Sequence, residues 1–185
     1  MAIPFRKTLA ALLLATLVGG SAQARGRTVL DDDAPRALPG DGAVAVSWGD
    51  PAGFREVRLS ANRREAVRGD WVRELAEHLQ GVALRRLPPG ERLEVVLTDI
   101  DRAGDFEPWR GGSNQDIRYM RDIHPPRATL RFRHLAADGT PIAEGERTLS
   151  DLGYLTAGGT LDNDPLRYEK RMLDRWLAQE LRAPR

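Results

Sequence analysis

Residues 128–149, ATLRFRHLAADGTPIAEGERTL, hold the reading on which the fold turns. Two runs that alternate toward β, 128–135 and 142–149, flank Asp138-Gly139, a dipeptide suited to the positive φ angles of a two-residue type I′ hairpin. With that turn Ala137 faces Thr140, and counting outward sets Arg133 against Glu144, Arg131 against Glu146 and Thr129 against Thr148. Each is a favourable cross-strand pair, contributing about 0.2–1 kcal/mol. On the other face Phe132 lies opposite Gly145, where its ring covers the missing side chain, and Ala128 lies opposite Leu149.

Upstream, residues 93–98 alternate as a strand that runs on into Asp99-Ile100-Asp101, and a shorter strand over 43–48 stops at Gly49-Asp50-Pro51. Between them residues 62–87 carry Val72, Leu75, Ala76, Leu79, Val82 and Ala83 at helical spacing, with Gly69-Asp70 splitting off a first short turn and Asp70 placed as an N-cap. Pro88-Pro89-Gly90 ends that helix. A last helix follows Asp164-Pro165, with Leu166, Leu173, Trp176, Leu177 and Leu181 on one face. The order β-α-β-β-β-α predicts a single α+β domain over residues 43–183, a largely antiparallel sheet of about four strands covered on one face by two helices.

The amino-terminal residues address compartment. Arg6 and Lys7 precede an apolar run over 8–20, and Ala22-Gln23-Ala24 has the small-x-small form that a signal peptidase accepts, so the mature chain is expected to begin near Arg25, in the periplasm or outside the cell. Residues 25–42, polar and rich in Gly and Pro, read as a disordered lead-in, and the Asp31-Asp32-Asp33 run as a solvated spacer within it. Without residues 1–24 the chain holds 26 Lys+Arg against 27 Asp+Glu, a near-neutral surface that gives nucleic acid no electrostatic support and no reason for membrane insertion after cleavage. There is no cysteine, hence no disulfide, no thiol nucleophile and no lipidated thiol. Oligomeric state is not legible.

Residues 102–125 form the longest stretch without a period, with a further strand over 116–121 placing Ile117 and Tyr119 on one face. Asp99 and Asp101 lie two apart on a strand, so both leave one face, the face of Leu93, Val95 and Leu97. That pair, with Asp116 or Asp105, has the residue types of a divalent-cation site or a glycosidase acid and base. The competing expectation is structural, pairing with Arg102, Arg110, Arg118 or Arg121 or accepting backbone N–H groups. Trp109 is a candidate stacking platform for a sugar or peptide, whereas Trp48 reads as core. Gly111 and Gly112 lack the lysine and helix of a phosphate loop. His78 reads as a surface residue, and His124 and His134 lack metal-ligand spacing. No serine sits in a nucleophile elbow, and no cofactor motif is present.

Several short motifs in one order resemble the DUF3016 family, exported bacterial proteins of unknown function. They are Val46-Ser47-Trp48-Gly49-Asp50-Pro51 with Phe54, Leu87-Pro88, Asp99-Ile100-Asp101 with Gly104, Glu107-Pro108, Ile117-Arg118, Arg121-Asp122, Pro125-Pro126-Arg127, and Tyr168-Glu169-Lys170 with Trp176. The resemblance implies an envelope protein and brings no activity. The functional expectation is a non-catalytic binding or accessory domain whose partner is an envelope protein or a small ligand. Its binding residues are drawn from Asp99, Asp101, Trp109, Arg110, Asp116, Arg118 and Arg121, with a small metal-assisted or glycan-directed hydrolase as the alternative.

Overall fold

Four strands and two long helices account for the core. In chain order the elements are β1 (Val44–Trp48), α1 (Arg55–Leu59), α2 (Arg63–Ala66), α3 (Trp71–Arg86), β2 (Arg92–Asp101), β3 (Asp105–Phe106), β4 (Arg118–Tyr119), β5 (Arg127–Leu135), β6 (Pro141–Ser150) and α4 (Arg167–Glu180). The structure is a computed structural model that describes residues 26–40, 42–156 and 163–182, and the expected leader over residues 1–24 lies outside them. The main sheet runs β1-β2-β5-β6, and β3 pairs with β4 in a separate ribbon. The β1–β2 pair is parallel, so the sheet is mixed, and α1 to α3 form the crossover that parallel neighbours require. The strand expected over 116–121 is confined to two residues.

The hairpin register is as counted: Arg133 faces Glu144, Arg131 faces Glu146, Thr129 faces Thr148, Phe132 faces Gly145 and Ala128 faces Leu149. The turn is different. No described residue other than glycine has a positive φ, which excludes type I′. Gly139 N–H donates to Ala136 O at 2.9 Å and Ala136 N–H to Thr140 O at 2.8 Å, giving a three-residue loop with Gly139 left-handed at φ 88°. That loop moves the register by one residue, and the irregularity between His134 and Leu135 moves it back by leaving Ile142 as an extra residue of β6.

A second bulge, between Leu97 and Asp99 of β2, changes which side chains face the core. Leu93, Val95 and Leu97 point inward, and after Thr98 it is Ile100 that is buried. Asp99 and Asp101 therefore leave the face opposite to the one expected, because one extra residue inverts the alternation. Thr98 Oγ1 donates to Thr129 O at 3.0 Å across the bulge.

All six residues of the α3 stripe are buried, and α4 adds Leu173, Trp176 and Leu177. Trp176 meets Phe132 edge to face at 5.7 Å, and Trp48 is buried. Asn62 caps α2 by accepting from Glu65 N–H, whereas Asp70 makes no capping bond to α3 and pairs with Arg27 at 3.1 Å. α4 starts at Arg167, because Asp164 accepts from Leu166 N–H at 2.8 Å and holds a turn before the first helical residue. His78 is not a surface residue: it is partly buried and pairs with Asp174 at 2.8 Å, joining α3 to α4. His134 is buried and pairs with Glu91 at 2.5 Å.

Residues 26–40 are not a free lead-in. Val29 N–H donates to Val67 O, Leu38 N–H to Val46 O and Trp48 N–H to Arg36 O, each at 2.9 Å, and Val29 and Leu38 are buried with the core. β1 is a sheet edge with unpaired backbone groups, and the short antiparallel bridge Ala37–Ser47 covers it. Two apolar residues suffice to anchor a segment whose average composition is polar.

Candidate functional site

The site is assembled where the end of β2 meets α1, the β3–β4 ribbon and the start of α4. Asp50 Oδ1 accepts from Ala52 N–H at 3.0 Å, which sets the 3₁₀ turn Pro51–Gly53 and delivers Phe54 into the core against Trp71. α1 then begins with no side-chain cap from Phe54. Asp99 Oδ1 serves instead, accepting from Arg55 N–H at 2.7 Å, while Arg55 Nε approaches Asp101 Oδ2 at 3.4 Å. Burial raises the Asp101 carboxyl above its ordinary range, nearby Glu56 adds to this, and Arg55 opposes it. The partner of these two aspartates is Arg55, in place of the expected Arg102, Arg110, Arg118 or Arg121.

Behind Arg55 lies a buried ionic cluster that sequence reasoning missed. Glu56, 3 % exposed, accepts from Arg102 N–H and Arg102 Nη2 at 3.0 Å each and also pairs with Arg118. Arg118 Nη1 donates to the carbonyls of Gly104 at 2.8 Å and Ala103 at 3.2 Å, and its guanidinium lies 4.6 Å over the Phe106 ring. Desolvation pulls the Arg118 guanidinium below its usual value, with Glu56 opposing. From α4, Glu169 Oε1 accepts from Ala103 N–H at 2.6 Å, while its Oε2 is buried without a hydrogen-bond partner among the described residues. Desolvation pushes the Glu169 carboxyl up, and the Ala103 N–H, Arg102 and Arg118 counteract. Gly104 is required between these clamps: its φ is +72° and a Cβ would stand 2.5 Å from Tyr119 O.

A second set orders the following loop. Glu107, 4 % exposed, pairs with Arg121 and with Arg110, and Arg121 beside it holds its carboxyl below the ordinary range. Arg110 lies 4.7 Å over Tyr119, and the Tyr154 hydroxyl donates to Arg121 O at 2.6 Å. Asp116 is held apart from Asp99 and Asp101 by other partners, Arg64 Nη2 at 2.9 Å and Asn62 Nδ2 at 3.0 Å, and Arg64 lowers its carboxyl below the usual value. Trp109 stands alone at 72 % exposure, and Ile117 and Ile123 are also exposed.

Of the expected residues, the fold thus joins Asp99 to Asp101 through Arg55, joins Arg110 to Arg121 through Glu107, and gives Arg118 to Glu56. It does not bring the three aspartates together. Asp99 and Asp101 are engaged by Arg55, and Asp116 by Arg64 and Asn62. Among the described residues no group of three His, Asp or Glu side chains is placed to hold a metal ion, and no helix is long and apolar enough to cross a membrane.

Between α1 and the β4–β5 connection the same elements leave a cleft of about 220 Å³, lined among others by Leu59, Asp101, Asp105, Ile123, His124 and Arg127. The Asp101–Arg55 pair lines it together with Leu59 and Ile123, both exposed.

Glu107, Arg118, Arg121 and Glu169 sit in the short motifs that carry the family resemblance, and the fold pairs Glu107 with Arg121, Arg118 with Glu56 and Glu169 with the Ala103 N–H. No curated protein and no solved structure matches the chain. The family model for DUF3016, described as a protein of unknown function, matches residues 42–179, and the chain belongs to that family.

Proposed function

We propose that this protein is an exported domain that binds an envelope component or a small ligand without turning over a substrate, and that residues 102–126 together with the Asp99/Asp101 end of β2 form its working surface. The observation that carries this reading is the contrast within that surface. Asp99, Asp101, Glu107 and Asp116 are engaged by arginines or backbone N–H groups, whereas Trp109, Ile117 and Ile123 stand exposed on a loop tied down by buried ion pairs. Fixed apolar side chains in water suit recognition, because the ordering entropy of the loop is met on folding and not on binding.

The test has two arms. Thermal unfolding of the exported protein with EDTA, Mg²⁺, Ca²⁺, Mn²⁺ or Zn²⁺ is expected to give one melting temperature throughout, lowered in the Asp99→Asn/Asp101→Asn variant. A cation-dependent rise that disappears in the variant would transfer the site to a metal-assisted hydrolase. In the second arm, Trp109→Ala/Ile117→Ser should leave the melting temperature within about 2 °C, since exposed residues contribute little to stability, and should abolish retention of any envelope component that the wild type retains.

A further inference from the structure

The cleft beside α1 carries more information than its size. Glu56 is engaged by Arg102 and Arg118, Asp101 by Arg55, and Asp105 Oδ1 accepts from Phe106 N–H at 2.7 Å. The cationic side of the same cleft is not balanced in this way. Arg127 stands opposite Asp101 in the β2–β5 ladder, near enough to lower the Asp101 carboxyl, yet its side chain makes no hydrogen bond or ion pair among the described residues. The His124 ring is also without one. Arg127 and His124 thus offer open donors beside the partly engaged Asp101 and Asp105 carboxylates, and next to them Leu59 and Ile123 are 58 % and 70 % exposed.

We propose that this cleft binds an α-carboxylate attached to an aliphatic side chain, with the carboxylate on Arg127 and His124 and the aliphatic group between Leu59 and Ile123. A guanidinium receives a carboxylate through paired N–H donors, which matches the valence left open on Arg127. The neighbouring Asp101 and Asp105 oppose a doubly charged anion such as phosphate and tolerate a monoanion whose own N–H faces them. The volume lies below the roughly 300–1,000 Å³ of sites that enclose drug-sized ligands, so one residue fits and an oligosaccharide does not. Two sources share this chemistry, a free amino acid and the C terminus of a peptide.

This inference rests on the binding reading above and names its ligand class. The experiment is calorimetric titration of the full exported chain with N-acetyl-L-leucine, L-leucinamide, L-leucine, the tripeptide Ala-Ala-Leu and inorganic phosphate. N-acetyl-L-leucine is expected to bind and leucinamide, which lacks the carboxylate, is not. Arg127→Leu and Ile123→Ser should each weaken binding at least tenfold; Ile123→Ser, at an exposed side chain, should leave the ligand-free melting temperature unchanged, and Arg127→Leu should lower it only by the loss of its attraction to Asp101. Tighter binding of Ala-Ala-Leu than of leucine assigns the site to peptide C termini, and the reverse to free amino acids. The inference is overturned if phosphate or leucinamide binds as well as N-acetyl-L-leucine, if Arg127→Leu binds unchanged, or if no probe binds at millimolar concentration. Hydrolysis of Ala-Ala-Leu during the titration would instead overturn the non-catalytic reading and leave the ligand class standing.

Discussion

At Glu56 a single carboxylate receives one backbone N–H and two guanidiniums in a place almost without water. Removing one member of a buried ionic group strands the charges that remain, at a cost of about 3–5 kcal/mol. Glu56→Ala is expected to lose stability in that range in urea denaturation, and a loss below 1 kcal/mol would show that Arg102 and Arg118 regain solvent. Glu169 behaves differently, since its carboxyl is raised by burial. An acid whose pKa is higher folded than unfolded favours the native state below the unfolded value, and that advantage is lost as pH rises toward the folded value. Glu169→Gln keeps the acceptor for Ala103 N–H and removes the titration, so its stability relative to wild type should increase from pH 4.5 to pH 7.5. A flat difference over that interval would mean that Glu169 is charged throughout. Nothing in the sequence assigns either glutamate a role: Glu56 lies in a stretch with no visible period, and Glu169 appears only within the Tyr168-Glu169-Lys170 motif of the family resemblance. Each becomes a site residue only when Arg102 and Arg118 arrive from other elements.

Among the elements, two bulges had opposite effects on legibility. In β6 the extra residue Ile142 offsets the three-residue loop, so a register counted from the wrong turn type is correct from His134 outward. Deleting Ile142, the unpaired residue, leaves His134 opposite Ala143 and Arg133 opposite Glu144, so the faces of β6 are unchanged. The variant is expected to keep a cooperative thermal transition, and loss of that transition would show that the hairpin needs the bulge. In β2 the bulge at Thr98 has no compensation, and the aspartates emerge on the face that alternation assigned to Ile100. Nothing in LEVVLTDID marks that site, because a bulge is set by how two strands accommodate their twist and not by one strand's pattern.

For the whole molecule, the packed amino-terminal segment makes a prediction about the limits of the domain. Burial of Val29 and Leu38 contributes about 1.5–3 kcal/mol each before the entropy of ordering the segment is subtracted. Removing residues 1–40 is therefore expected to lower the melting temperature by about 5–10 °C, at roughly 2–4 °C per kcal/mol for a chain of this size. An unchanged transition would return residues 26–40 to the status of a lead-in. Export is checked separately by sequencing the amino terminus of protein recovered from the periplasm, where Arg25 should come first. By itself the sequence determined the α+β class, the α3 stripe, the β5–β6 register and the family, because each is written in spacing within a segment or in the order of segments along the chain. Only the tertiary structure decided that Asp99 caps α1 and Asp101 pairs with Arg55, that Glu56 meets two arginines and Glu169 the Ala103 N–H, and that Arg127 faces a cleft without a partner. The hydrogen-bonded meetings among them join groups 44 to 66 residues apart in the chain, and no local pattern records such a meeting.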